Sequence, residues 1–446
     1  MPFKAAVAGA KTVHTLFSGP AAGAQAAAYL AAEDAKKGLV TLDMGGTSCD
    51  IAFIEGGAPL EVTEGEIARR RLDVPALDLT TISAGGGSIA WIDGGGLLAV
   101  GPQSAGADPG PVCYGKGGEN PTVTDADIAC GFLNPDYFLG GAQSLDVPAS
   151  LKALKTKVGA PLGMTALDAA AGIRRIVDMR MADEVRIFGA KRGVDPQEFT
   201  LLPFGGAGAV HAAPVAEELG MTRILVPPRP GAFSALGLLC TDVVHDYIRS
   251  ELRPLDQVPP DHAEEIFREL EERGRQELKS EGMDPAGATF ARELDMRYTG
   301  QGYELRVGLD GIGDAGGLDD AALAEARDRF DGIHARIHGH AAKEKPAEVV
   351  SYRVRARVAV PKYEPAVEQN VAQAPAPGAA RKGSRDVWFT SDTATETAIW
   401  DRNALPVGAM LEGPAIVEQL DSTIVVPDGW HAHVDGSMNL ILTREL

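Results

Sequence analysis

Only four cysteines, Cys49, Cys113, Cys130 and Cys240, are spread over 446 residues. They form no Cys-x-x-Cys pair and no histidine stands at metal-finger spacing. That excludes a disulfide framework and a structural zinc finger, and leaves four reduced thiols. Basic residues are also short: 42 Lys and Arg face 62 Asp and Glu, a formal charge of −20. Nucleic acid and anionic membrane surfaces would repel such a chain. No uninterrupted apolar run reaches the roughly 18 residues of a membrane span. The opening Met1-Pro2-Phe3-Lys4 segment lacks the apolar centre of a signal peptide. Together these absences describe an acidic chain expected to be soluble and cytoplasmic.

What is abundant is glycine, 53 residues gathered in short runs such as Gly85-Gly86-Gly87, Gly94-Gly95-Gly96 and Gly205-Gly206. Clusters of this kind serve close backbone approach or positive φ rather than disorder. The length predicts two or three domains. An Ala-rich helix is expected after Ser18-Gly19-Pro20, followed by strands at Gly38 to Leu42 and Cys49 to Glu55 joined by a glycine-tipped turn. Ser88 to Asp93 and Leu97 to Val100 read as a hairpin, and Gly101 to Asn120 as a Gly/Pro loop. A long amphipathic helix spans Thr165 to Gly189. After it come a strand at Phe199 to Pro203, a turn at Gly205 to Gly208, a helix at Ala209 to Leu219 and a strand at Arg223 to Val226. That order is the raw material of an α/β domain.

Residues 246 to 363 read as an α+β extension, with helices at Pro260 to Ser280 and Asp319 to His338 and an alternating strand at Val349 to Val360. Glu364 to Ser384, rich in Ala, Pro, Gln and Gly, is predicted to be a linker. Residues 385 to 446 are expected to form a small β-rich domain.

Two glycine turns carry the chemistry. Asp43-Met44-Gly45-Gly46-Thr47-Ser48 joins two strands, so it is neither a P-loop nor a dinucleotide fingerprint, both of which open a helix. In such a hairpin tip, backbone amides of Gly45 and Gly46 and the hydroxyls of Thr47 and Ser48 can face a phosphate, and Asp43 can orient a water or a hydrated Mg²⁺. An ordinary Asx turn is the other reading. In the second turn, Gly205, Gly206, Ala207 and Gly208 follow a strand and open a helix. They either receive a ring or ribose against the backbone or let strand and helix pack tightly.

Taken in order, a phosphate hairpin and then a strand-Gly-Gly-helix resemble the sugar kinase, Hsp70 and actin superfamily. A more specific resemblance adds Ser18-Gly19-Pro20-Ala21-Ala22-Gly23, Ala84-Gly85-Gly86-Gly87-Ser88, Ser104 to Pro111, Pro121 to Ala126, Gly300-Gln301-Gly302-Tyr303 and Gly413-Pro414-Ala415-Ile416. Over essentially the whole chain these resemble hydantoinase A signatures of the hydantoinase/oxoprolinase family. The resemblance implies an α/β fold, an actin-like ATPase lobe with an α+β extension and a small C-terminal β-rich domain. It implies ATP and Mg²⁺ as cofactors, and the opening of a cyclic amide by phosphorylating its carbonyl oxygen. A hydantoinase B-like subunit is the implied partner, within an oligomer. A ketone carboxylase subunit and a non-catalytic assembly module are the alternatives. Family members carry a further domain with its own Asp-Gly-Gly-Thr hairpin upstream of the region matching Ser18. Nothing like it precedes residue 18, so weak nucleotide binding is expected unless that hairpin is supplied. Asp178, Arg180, Asp183 and Glu184 replace a run the family keeps more neutral, and altered substrate or partner contacts are expected there.

Other candidates are more ambiguous. Asp108 sits in a Gly/Pro loop, either as a catalytic carboxylate facing the cleft or as a turn residue. Asp125 reads as a helix cap. His211 lies one turn into its helix, either near the nucleotide or as a satisfied buried histidine. His334, His338 and His340 lack an acidic partner at zincin spacing and read as a solvated helix end. His431 and His433 are expected on an exposed strand face. Cys49 has no local histidine to activate it.

Overall fold

The computed structural model describes residues 18–62, 65–67, 70–72, 76–312, 317–365 and 377–445. The chain divides into two compact units, one made of residues 16–240 and 363–446, the other built around 241–362. Both mix helices with sheets.

The first unit opens with α1 (Ser18–Leu30), followed by β1 (Leu39–Met44) and β2 (Cys49–Glu55). Their near-continuous burial comes from runs such as Leu39-Val40-Thr41-Leu42 and Ile51-Ala52-Phe53-Ile54, which suit strands covered on both faces. Next come β3 (Leu79–Ile82), β4 (Ser88–Ile92), β5 (Leu98–Ser104), α2 (Val123–Ala129) and α3 (Ala166–Ala190). In α3, Thr165 and Asp168 form a capping box, worth about 1 kcal/mol. Ile173, Val177, Met181, Val185 and Phe188 keep one face of this helix in the core.

The segment β6 (Thr200–Phe204), α4 (Gly205–Leu219) and β7 (Arg223–Val226) completes the central layer, and α5 (Phe233–Gly237) follows. The Gly205 to Gly208 segment is therefore the first turn of α4, not a separate turn before a helix at Ala209. β6 pairs in parallel with both β1 and β7.

The second unit is an antiparallel sheet of β8 (Val243–Pro254), β9 (Ala288–Tyr298), β10 (Leu305–Gly308) and β11 (Ala347–Val358), in the order β8-β11-β9-β10. Helices α6 (Pro260–Ser280) and α7 (Asp320–His338) pack on it. Phe267, Tyr352, Met296, Tyr298 and Phe330 fill its own core. His334 is not solvated: it is fully buried, its Nδ1 lies 2.7 Å from the His340 carbonyl and its Nε2 meets Gln301 Nε2 at 3.0 Å.

Of the expected linker, residues 366–376 lie outside the described residues, and Arg381–Val387 is β12. β12 belongs to a sheet with β13 (Thr395–Asp401), β15 (Ala415–Glu418) and β16 (Thr423–Val426). The intervening β14 (Met410–Glu412), with β17 (His431–Val434) and β18 (Leu440–Thr443), joins the main sheet. β18 runs antiparallel to β7, giving the order β14-β17-β18-β7-β6-β1-β2, with β3 on β2. Of the last 60-odd residues, β12, β13, β15 and β16 thus form a four-stranded sheet of their own, while β14, β17 and β18 extend the first sheet. Ile441 and Leu442 are the apolar pair that binds them to it.

Candidate functional site

The turn between β1 and β2 is built so that its amides face outward. Gly45 N donates to the Ser48 carbonyl at 3.1 Å, which closes the tip. The glycine triplet before β4 lies beneath it. Gly86 N donates to the Gly45 carbonyl at 3.0 Å, and Gly87 N to the Gly46 carbonyl at 2.6 Å. A trans peptide holds its N–H opposite its C=O. Anchoring those two carbonyls on the triplet therefore turns the Gly46 and Thr47 amides away from it.

Among the described residues, the amides of Gly46, Thr47 and Ser48 and the hydroxyls of Thr47 and Ser48 have no hydrogen-bond partner. Gly46 and Thr47 are exposed, and a Cβ at Gly45 or Gly46 would meet nothing within 4 Å. Successive free amides beside two hydroxyls form a cradle for an anion.

The support is close-fitting. A Cβ at Gly85 would come within 2.6 Å of Thr47 N, so no larger residue fits between triplet and tip. Thr124, in the first turn of α2, donates from both N and Oγ1 to the Gly86 carbonyl, at 2.8 and 2.9 Å. Ala105 N donates to the Gly87 carbonyl at 2.8 Å. Asp125 secures α2 in turn: it completes a capping box with Thr122 and accepts from Val112 N, Cys113 N and Ser150 Oγ. It is a cap, as its sequence position suggests.

Asp43, next to the end of β1, lies directly opposite Asp50 on β2. Burial, and then the Asp50 carboxylate, push Asp43 up to about 6, against a hydrogen bond donated by Ser234 Oγ to its Oδ2 at 3.2 Å. Asp50 is raised as well, by burial, despite accepting from Thr81 Oγ1 at 2.5 Å. Neither carboxylate forms a salt bridge with Lys or Arg among the described residues. Two half-buried carboxylates without a cation are the donor set a hard divalent ion takes.

Helix α4 begins against the same carboxylate. Gly205 has φ +76°, and a Cβ there would lie 2.4 Å from the Met44 carbonyl and 2.7 Å from Asp43 Oδ1. Gly208 meets the Leu42 carbonyl in the same way, at 3.0 Å. Tight strand-helix packing therefore explains Gly205 and Gly208. Gly206 is exposed and Ala207 partly so. No side chain among the described residues caps this helix start, which leaves its first amides available to a ligand beside Asp43. The Asp421 backbone passes 3.7 Å from a Cβ at Gly206, and Asp421 accepts from Gly231 N at 2.9 Å.

His211 does not reach this cleft. It is fully buried on the far side of α4, with Nδ1 2.7 Å from Asp178 Oδ1 on α3 and Nε2 3.4 Å from Asp127 Oδ2 on α2. Asp127 also pairs with Arg174, whose guanidinium stacks on Phe132. Burial alone would lower His211, but the Asp127 and Asp178 carboxylates outweigh it and raise it to about 9. Asp178 is thus an intramolecular partner. The other three charged residues of the Asp178 to Glu184 run are similarly engaged: Arg180 with the Val100 carbonyl, Glu184 with Thr80, and Asp183 with Arg186.

Asp108 is exposed on the loop that follows Ala105. Cys49 is buried and its thiol is held far above its usual range by burial and by the Asp50 and Asp43 charges, which makes it no nucleophile. Of the expected strand-face pair, His431 is exposed and His433 only partly.

Comparison with known proteins gives two family matches, hydantoinase/oxoprolinase over residues 3–247 and the hydantoinase/oxoprolinase C-terminal domain over residues 260–445. The chain is 34% identical over 437 residues to the caprolactamase subunit alpha of Pseudomonas jessenii, covering 97% of this chain and 62% of that protein. It is 35% identical over 431 residues to the acetophenone carboxylase gamma subunit of Aromatoleum aromaticum, covering 94% and 58%. A nucleotide-free structure of acetone carboxylase superposes with a TM-score of 0.84 at 29% identity, covering 96% of this chain and 61% of that one. The chain therefore spans about 60% of the length of each of these three proteins.

Proposed function

The chain belongs to the hydantoinase/oxoprolinase family, and from that premise we propose that it is a subunit of an ATP-dependent hydrolase that opens a cyclic amide of the hydantoin, 5-oxoproline or lactam type. The observation that carries this reading is the tip at Gly45 to Ser48. The Gly45 and Gly46 carbonyls are tied to Gly86 and Gly87, and among the described residues the Gly46, Thr47 and Ser48 amides have no partner and the neighbouring carboxylate pair has no Lys or Arg.

These residues fit a magnesium nucleotide. Gly46, Thr47 and Ser48 would hold phosphate oxygens, Asp43 with Asp50 would hold Mg²⁺ or a water on it, and Gly206 and Ala207 at the start of α4 would line the adenosine. ATP supplies the phosphoryl group that converts a poorly electrophilic amide oxygen into a leaving group. The chain's contribution is placement: the anchored peptide planes need no reorganisation when charge arrives, the condition under which electrostatic stabilisation is most effective. Ser234 holds Asp43 in position through its hydrogen bond. Asp108 is assigned a substrate-side role on the exposed loop after Ala105. The other phosphate hairpin and a hydantoinase B-like subunit would complete the site within a hetero-oligomer.

A second reading, a subunit of an ATP-dependent ketone carboxylase, draws support from the 35% identity to an acetophenone carboxylase subunit, level with the 34% to a caprolactamase subunit. One assay separates them. The chain with its partner subunit is incubated with Mg²⁺-ATP, labelled bicarbonate, and a panel of hydantoin, 5-oxoproline, caprolactam, acetone and acetophenone. Phosphate release coupled to ring opening, with no label in product, is expected. Label entering product overturns the hydrolase reading in favour of the carboxylase.

A further inference from the structure

The second unit carries a cluster that the phosphate site does not use. Strand β8 alternates, so Val243, His245 and Tyr247 share the face on which α6 packs, and all three are buried. On α6, Leu270, Gly274 and Leu278 point at the same sheet, and a Cβ at Gly274 would lie 3.1 Å from the Tyr247 ring. Glu277 and Glu281, four residues apart, flank that buried stripe and share its side.

As a result, one ligand atom each from His245, Glu277 and Glu281 lies within 4.8 Å of the others. His245 Nε2 is 2.9 Å from Glu281 Oε2, and the two side chains are 3% and 2% exposed. The second oxygen of that carboxylate, Glu281 Oε1, is buried with no hydrogen-bond partner. An unmatched carboxylate oxygen in a dry site costs about 1–3 kcal/mol or more. Glu277 also stands by Tyr247, whose phenol burial and this carboxylate push upward.

We infer that His245, Glu277 and Glu281 form a binding site for one divalent transition metal ion of the zinc or manganese class. An imidazole nitrogen with carboxylate oxygens is the donor set those ions prefer over magnesium or calcium. Small side-chain rotations bring all three atoms to the roughly 2.0–2.2 Å that zinc requires. A bound ion satisfies Glu281 Oε1 and ties the C-terminal end of α6 to β8. The role is structural, since the ligands are buried inside one compact unit.

The test is zinc binding by the full chain, read as equilibrium dialysis with metal analysis and as a shift in unfolding temperature, at neutral pH without chelator. About one tightly held zinc per chain is expected, with an unfolding temperature raised by zinc. Glu281→Gln and His245→Gln, which keep side-chain volume, should weaken zinc by about 100-fold or more, beyond the 10–100-fold typical of losing an outer partner alone. Circular dichroism checks that each remains folded. Asp43→Asn serves as the control for the phosphate site and should leave this zinc in place. The inference is overturned if the wild-type chain holds no zinc, if Glu281→Gln and His245→Gln hold it as tightly as wild type, or if Asp43→Asn alone releases it. None of these outcomes bears on whether the tip at Gly45 to Ser48 binds nucleotide.

Discussion

Asp43 and Asp127 lie in the same compact unit, both withdrawn from water, and their pKa values move in opposite directions. Asp127 is lowered: burial would raise it, but His211 and Arg174 more than compensate. Asp43 is raised to about 6, first by burial and then by Asp50, with only the Ser234 hydroxyl in opposition. One carboxylate has its counter-charges built in by α3 and α4. The other has Asp50 across from it and the Ser234 hydroxyl as its donor. A buried charge whose partners are all internal is architecture; one whose missing partner would come from outside marks a binding site.

The largest expected effect comes from breaking the internal set. Asp127→Ala leaves Arg174 and a charged His211 buried without their carboxylate, and should cost about 3–5 kcal/mol in urea unfolding. Asp43→Asn should do the reverse at neutral pH, stabilising the chain by up to about 3 kcal/mol, the value of a pKa raised by roughly two, while abolishing ATP-coupled activity in the assembled enzyme. If Asp43→Asn destabilises the chain as Asp127→Ala does, the contrast between the two regions is wrong.

The pH dependences should also diverge. His211 has a folded value near 9 against an ordinary 6.5, so its contribution is full below about 6.5 and is lost as pH rises through 9. Asp43 has a folded value near 6 against 3.8. Its buried carboxylate therefore lowers stability progressively as pH rises from about 4 to 6. Unfolding followed from pH 4 to 10 should show both slopes, with His211→Gln flattening only the alkaline one and Asp43→Asn only the acidic one.

Gly85→Ala tests the support beneath the tip. The added Cβ meets Thr47 N at 2.6 Å, so a cost of about 1–3 kcal/mol is expected, together with a loss of nucleotide affinity out of proportion to it. The smallest effect belongs to Asp108→Asn, at an exposed loop position: stability within about 0.5 kcal/mol of wild type, and any change confined to turnover of substrate.

Local patterns carried much of this into the sequence. Cys49–Glu55, Arg223–Val226 and Pro260–Ser280 are elements whose apolar spacing marks their limits. The helical start at Gly205 was hidden because glycine disfavours helix interiors, and here close approach to the Asp43 and Met44 backbone outweighs that preference. Arg381–Val387 has no apolar alternation, so it reads as linker although it is a strand.

In the candidate site, the composition of Gly45 to Ser48 was legible, but the pairing of Asp50 with Asp43 was not, because the strand runs to Met44 and shortens the turn to four residues. The rest of what was hidden is long-range. The anchoring of the tip by Gly86 and Gly87 lies some 40 residues away, and Ser234 reaches Asp43 across 191 residues. The α3 partner of His211 is 33 residues distant. No spacing rule connects such pairs. They follow from which strands neighbour one another in the sheet.

The measurement closest to the central claim is calorimetric titration of a non-hydrolysable ATP analogue into the chain assembled with its partner subunit, with and without Mg²⁺, for wild type and Asp43→Asn. The account predicts binding that requires Mg²⁺ in wild type and is lost or severely weakened in Asp43→Asn, even though that variant is the more stable protein. Equal binding by both, or no binding by the complete assembly, would contradict it.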